Sequence, residues 1–216
     1  MSTSPVNRPE PPDASDPRAF LVVPARVWFS RAVHVVARDL LGAYLTSRSP
    51  EGDVTLRITE VEAYAGADDP GSHAYRGRTV RNGVMFGPAG FLYVYFTYGM
   101  HHCCNVVTGP EGTPSAVLLR AGEVVAGGDL ARSRRSRSSD RDLARGPARL
   151  CQALGIDLAD NGADLTSGPV TLELGEPVTM VSTGPRVGLR GAPDRPWRFW
   201  VTGDPTVSPY RPAKPR

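Results

Sequence analysis

Lysine is almost absent from this chain of 216 residues. Of its 25 basic residues only Lys214 is lysine, and the rest are arginine. Amine chemistry through a Schiff base is therefore confined to one side chain in a Pro-rich C-terminal stretch. Arginine is the better planar donor to phosphate, so a nucleic-acid partner is allowed, although genomic base composition that favours Arg codons accounts for the same bias. Cysteine is scarce as well. Cys103, Cys104 and Cys151 are odd in number and unlike a disulfide framework, which fits a reducing, cytoplasmic location. Three thiols cannot supply four ligands to an iron–sulfur cluster. The run His101-His102-Cys103-Cys104 does not rescue a metal site, because neighbours on a strand point to opposite faces and no CxxC or HExxH spacing is present. No metal is expected. No run of about 18 apolar residues exists, so no transmembrane helix and no membrane partner are expected. Met1 to Pro17 is rich in Pro and Ser without an apolar stretch, which reads as a disordered tail and not a signal peptide. The net charge is a modest +3.

What remains is enough for one sizeable domain. Three regions are expected: a tail over residues 1–19, a folded domain over 20–204, and a second tail over 205–216. Ser30 is placed to cap a helix in which Val33, Val36, Leu40 and Leu41 share a face, ending near Gly42. Strands are predicted over Leu56–Ala63, Phe91–Phe96, His102–Thr108, Ser115–Arg120, Val170–Leu174, Val178–Ser182 and Trp197–Thr202, with a turn at Tyr98-Gly99-Met100. Asp68-Asp-Pro-Gly71 is a loop by its turn chemistry. Residues 131–145 fall in an Arg-rich stretch whose front half lacks hydrophobic periodicity, and they are predicted to be a mobile loop. Pro147 then opens a short helix that Gly155 closes. Strands outnumber helices and the hairpin spacings are short. The fold class is α+β: a single domain with a curved, mainly antiparallel sheet, a few flanking helices and a protruding β-hairpin.

The chemistry concentrates between residues 57 and 120. Glu60 and Glu62 share a face of their strand, in a segment too apolar to be wholly exposed. Tyr93 and Tyr95 share a face of the next strand, which ordinary cross-strand packing also explains. Tyr98 stands at a hairpin tip, where a large ring has no core to fill and a wedge between bases becomes a candidate role. His73, Asn105 and Arg120 are each unspecific singly. A carboxylate beside a set of aromatic rings suits an enzyme that holds a flat ring and activates one water. A binding module using basic and aromatic residues without catalysis is the competing class, and a small-molecule enzyme of unrelated chemistry is a third. A semi-buried carboxylate, which would repel phosphate, argues for catalysis.

Five ordered stretches carry a resemblance: Glu60-Val-Glu-Ala-Tyr64 with His73; Tyr93-Val-Tyr95-Phe-Thr-Tyr98-Gly-Met100; Asn105 with Leu118-Leu-Arg120; Gly146-Pro-Ala-Arg149-Leu-Cys-Gln-Ala-Leu154; and Trp197-Arg-Phe-Trp-Val201. Together they resemble the alkyladenine (3-methyladenine) DNA glycosylase family from about Phe29 to Ser208. The resemblance implies a base-excision repair enzyme that needs no cofactor. Acting as a monomer on double-stranded DNA, it would flip damaged purines out and hydrolyse their N-glycosidic bond. By position, Glu62 would activate water and Arg120 would orient it or the nearby phosphate. Tyr64, His73 and Tyr95 would form the base slot, with Gly71 offering backbone groups to the base edge and Leu118 lining it. Asn105 would exclude normal guanine. Tyr98 and Met100 would intercalate, and Arg81 and Arg149 would meet the DNA backbone. His101 and His102 at the hairpin tip and the Arg-rich stretch depart from the family pattern.

Overall fold

The computed structural model describes residues 21–97 and 99–214. The expectations for the tail over 1–19 and for Tyr98 therefore fall outside the described residues. The chain forms α1 (Arg26–Phe29), α2 (Val33–Asp39), β1 (Tyr44–Ser49), β2 (Gly52–Tyr64), β3 (Leu92–Thr97), β4 (His101–Thr108), β5 (Ser115–Ala126), α3 (Gly128–Arg134), α4 (Pro147–Leu154), β6 (Val170–Glu173), β7 (Val181–Gly184) and β8 (Arg198–Val201). One antiparallel eight-stranded sheet runs in the order β3-β4-β5-β2-β1-β6, with β8 pairing both β2 and β7. The α+β class, the curled sheet and the hairpin at its edge are as expected.

The long strand β2 organises the molecule. Its first half pairs with β1, whereas Glu60–Glu62 pair with β8, and β5 runs along the opposite side throughout. Register shifts against β5 fall between Ile58 and Glu60 and between Glu60 and Val61. Such bulges bend a strand and re-aim its side chains, here at the two glutamates. Alternation then divides the sheet into two faces. Val61, Ala63, Leu92, Val94, Cys104, Val106, Val117 and Leu119 pack with α2 and α4 into the main core. The intervening residues point the other way, toward a smaller cluster of Ala74, Met85, Tyr93, Val107 and Ala116.

Three expectations need correction. Ser30 does not cap α2, whose N-cap is Ala32 with no side-chain bond; the Ser30 hydroxyl instead donates to the Arg26 carbonyl and closes α1. The front of the Arg-rich stretch is helical, not a loop. In α3, Asp129 lies in the first turn with Arg132 and Arg134 in the last, which complements the helix dipole. Arg134 bonds Ala153, Ser49 and Glu51, and Arg135 bonds Gln152, so tertiary partners replace the missing hydrophobic period. Finally, the chain does not leave the fold at residue 205: Thr206 and Ser208 are buried.

Candidate active site

The sheet face that does not enter the main core forms one wall of a cavity of about 560 Å³, within the range of small-molecule and base pockets. Its lining repeats every second residue. β2 contributes Glu62 and Tyr64; β3 contributes Tyr93, Tyr95 and Thr97; β4 contributes Cys103 and Asn105; β5 contributes Ala116, Leu118 and Arg120. The register sets Tyr93 opposite Asn105, Asn105 opposite Leu118, and Leu118 opposite Glu62, so one row crosses four strands. Gly71, Ser72 and His73 close a second side. Pro147, Val187, Gly188, Leu189 and Arg211 close a third.

Glu62 is fully buried. Its Oε1 accepts the Val187 amide at 2.6 Å and lies 3.3 Å from Arg120 Nη1; its Oε2 accepts the Tyr64 hydroxyl at 2.9 Å. Arg120 is shared with the neighbouring carboxylate, its Nε donating to Glu60 Oε1 at 2.7 Å. Glu60 also accepts Arg198 Nε at 2.7 Å, the Ser208 amide at 2.7 Å and the Ser208 hydroxyl at 2.9 Å. Burial pushes the Glu60 carboxyl up, but Arg120, Arg198 and the Ser208 donors hold it below the usual carboxylate range. Burial opposes the charge on Arg120, and Glu62 and Glu60 more than restore it. The result is a buried, satisfied and charged network at one end of the cavity.

Aromatic rings surround the remaining space. The His73 ring meets Tyr95 edge-on with centroids 4.5 Å apart, and its Nδ1 is 3.1 Å from the Tyr93 hydroxyl. Burial, and then the nearby charge of Arg81, lowers the His73 pKa, so the ring is neutral at pH 7. Burial raises the Tyr64 and Tyr95 phenols, which stay protonated. The Arg186 guanidinium lies 4.6 Å from the centre of the Tyr64 ring. Arg186 is itself fully buried and paired with Asp69 by bonds of 2.5 and 2.7 Å, while Asp69 accepts the amides of Ala65 and Gly71. This pair ties the loop after β2 to Tyr64. Asn105 is buried, its Nδ2 donating to the Tyr93 carbonyl at 3.1 Å. The Cys103 thiol is pushed up to about 11, chiefly by burial, and is not a nucleophile at neutral pH.

Eight of the residues singled out from the sequence thus line one cavity: Glu62, Tyr64, Gly71, His73, Tyr95, Asn105, Leu118 and Arg120. Met100 is exposed at the hairpin tip, apart from the cavity. Arg81 also lies outside it, with Nη2 donating to the Phe96 carbonyl and its guanidinium 5.2 Å from the Tyr95 ring centre. Arg149 lines a separate, neighbouring cavity. Sequence reasoning missed Asp69, Arg186, Val187–Leu189, Ser208 and Arg211. Val187 reaches Glu62 across 125 positions and Ser208 reaches Glu60 across 148. No local pattern announces pairings of that range.

The curled antiparallel sheet thus presents a buried carboxylate beside a cavity lined by aromatic rings. The profile of the methylpurine-DNA glycosylase (MPG) family matches residues 27–205, and the chain belongs to that family. It is a monofunctional DNA glycosylase of base-excision repair, a hydrolase of N-glycosyl bonds. Several bacterial relatives, each named as a candidate 3-methyladenine DNA glycosylase, align over most of their length. That of Streptomyces avermitilis is 59% identical over 88% of this chain and 93% of its own. That of Leifsonia xyli is 54% identical over 88% and 94%, and that of Nocardia farcinica 55% identical over 81% and 85%. No helix among the described residues is long and apolar enough to cross a membrane.

Proposed function

We propose that the enzyme excises alkylated and deaminated purines from double-stranded DNA by flipping the damaged nucleotide into the aromatic cavity, where Glu62 activates the attacking water. The carrying observation is the environment of Glu62. A carboxylate offers about four acceptor positions. Val187 fills one on Oε1, which Arg120 also faces as an ion pair at 3.3 Å, and Tyr64 fills one on Oε2, which leaves a position on Oε2 for a water molecule. The donors around it are fixed in place, as preorganised stabilisation of a developing cation requires.

In the reaction the C1′–N bond breaks and its electron pair leaves with the base. Oxocarbenium-like charge grows on the sugar. Glu62 faces that charge and takes a proton from the water whose oxygen bonds C1′. Arg120 orients the water. Tyr64, Tyr95 and His73 clasp the ring, Leu118 packs on it, and backbone groups at Gly71 and His73 meet its edge. An N3- or N7-alkylated purine is already cationic and leaves as a neutral base. Neutral lesions such as hypoxanthine need a proton from elsewhere, and the neutral His73 does not supply one at pH 7. Cationic lesions are therefore the faster substrates. Asn105 crowds the 2-amino position of guanine. Tyr98 and Met100 fill the vacated duplex, and Arg81 and Arg149 hold the backbone. Every residue that lines the cavity comes from one chain, so a monomer suffices, acting on the DNA of the cytoplasm. Selection gains further from the roughly few kcal/mol of extrusion cost, which is smallest for a poorly paired base.

The test is incubation with duplexes that each carry one defined lesion. Free base and abasic sites in equal amounts are expected from alkylated purines. Recovery of every duplex unchanged would overturn the reading.

A further inference from the structure

A second cavity of about 390 Å³ adjoins the first and shares Arg120, Val187 and Arg211 with it. Arg145, Arg149 and Asp142 complete its charged lining. Arg120 is committed to Glu60 and Glu62. That leaves three arginines against one carboxylate, Asp142, which already lies 3.4 Å from Arg145 and 3.9 Å from Arg149. Arg211 makes no side-chain hydrogen bond or ion pair among the described residues. The N-terminus of α4 opens at the same place. Its N-cap, Gly146, lines the cavity and contributes no side chain, and Pro147 leads the first turn. The first amides of that helix thus have no intrahelical partner, which favours an anion.

The position of Arg211 is fixed. Its carbonyl accepts the Gly188 amide at 2.8 Å, Ser208 is bonded to Glu60 three residues earlier, and Arg145 donates to the Val207 carbonyl at 2.8 Å. The stretch expected to be a loose tail is therefore a strap that carries one cation to the wall between the cavities.

We propose that this second cavity is a phosphodiester subsite, in which Arg211, Arg145 and Arg149 grip one backbone phosphate adjoining the flipped nucleotide. The inference rests on the glycosylase reading and deepens it. Arg120 lies 3.3 Å from Glu62 and lines both cavities, so a nucleotide whose C1′ stands at Glu62 would carry its own phosphate toward the wall they share. Clamping that phosphate fixes the sugar against Glu62 while the base is held on the other side.

The test combines protein and DNA changes. Duplexes with one lesion carry a neutral methylphosphonate at each flanking position in turn, and single-turnover excision is measured at subsaturating enzyme for wild type and Arg211→Ala. One position should cost about tenfold with wild type, the loss of a single charge-assisted contact. Arg211→Ala should cost about as much on the unmodified duplex and less than about twofold more on that one modified duplex, since coupled partners are not additive. Arg211 is exposed, so the variant folds. An equal loss with Arg211→Ala on every methylphosphonate duplex, or no loss on the unmodified one, would overturn the subsite. Failure of wild type to release base from the unmodified duplex would instead overturn the glycosylase reading beneath it.

Discussion

At the scale of single residues the cavity is a row of side chains whose chemistry is set by what each one faces. Asn105 is held by the Tyr93 carbonyl and lies in register between Tyr93 and Leu118. Its amide cannot swing away without leaving a buried polar group unpaired, which under the proposed function makes it a fixed obstacle to a purine 2-amino group. Asn105→Ser frees that space. Release of normal guanine, or of guanine opposite a mismatch, should rise while release of hypoxanthine changes less. The ratio of the two rates is the measurement, because a folding defect lowers both; an unmoved ratio means that guanine is excluded by other means. Asp69 acts at one remove. Asp69→Asn leaves the fully buried Arg186 without a counter-charge and should cost about 3 kcal/mol of stability by denaturant unfolding.

At the scale of elements, backbone approach decides which loops reach the site. Gly66 follows β2 with φ at +65°, and a Cβ there would stand 1.8 Å from the Pro114 carbonyl. Gly66→Ala must therefore displace the loop that carries Asp69 and Gly71. Excision and thermal stability should fall together, whereas Ala at Gly83, whose φ is not left-handed and whose nearest neighbour is Arg78 Nε at 3.9 Å, should leave stability within about 1 kcal/mol. The strands that bear the site were legible because apolar and aromatic residues alternate along them. β1 was not. Tyr44–Ser49 reads as polar, yet its first four residues are buried, and Thr46 pairs its hydroxyl with Thr55 across the strands at 2.9 Å. The same holds for the site: Glu62, Tyr64, Tyr95, Asn105 and Arg120 follow from strand periodicity together with family resemblance. Arg186, Val187 and Ser208 come from the far end of the chain, and only the closed fold brings them to the glutamates.

At the scale of the whole molecule, buried charge couples the fold to pH. The Glu60 and Asp69 carboxyls are held below their ordinary values by arginine partners that outweigh burial. A carboxyl depressed in the folded state contributes stability that is complete above its unfolded value and is lost as pH falls through its folded one. Stability should therefore be level near neutrality and decline below about pH 4, as read by the unfolding midpoint against pH. A midpoint unchanged down to pH 2 would contradict this. The near-absence of lysine bears on the reaction in the same global way. Lys214 is the sole lysine, so borohydride should trap no covalent adduct with DNA, and the product should be an intact abasic site.

The central claim is that Glu62 hydrolyses the N-glycosidic bond of a purine held in the aromatic cavity. Glu62→Gln keeps the shape of the side chain and removes the base and its charge. The most direct test is single-turnover excision of an alkylated purine from a duplex, measured for this variant and for wild type alongside their affinity for the lesion duplex. Excision should be almost abolished while affinity stays within a few-fold, because the slot and the backbone contacts remain. Excision within a few-fold of wild type would contradict the account.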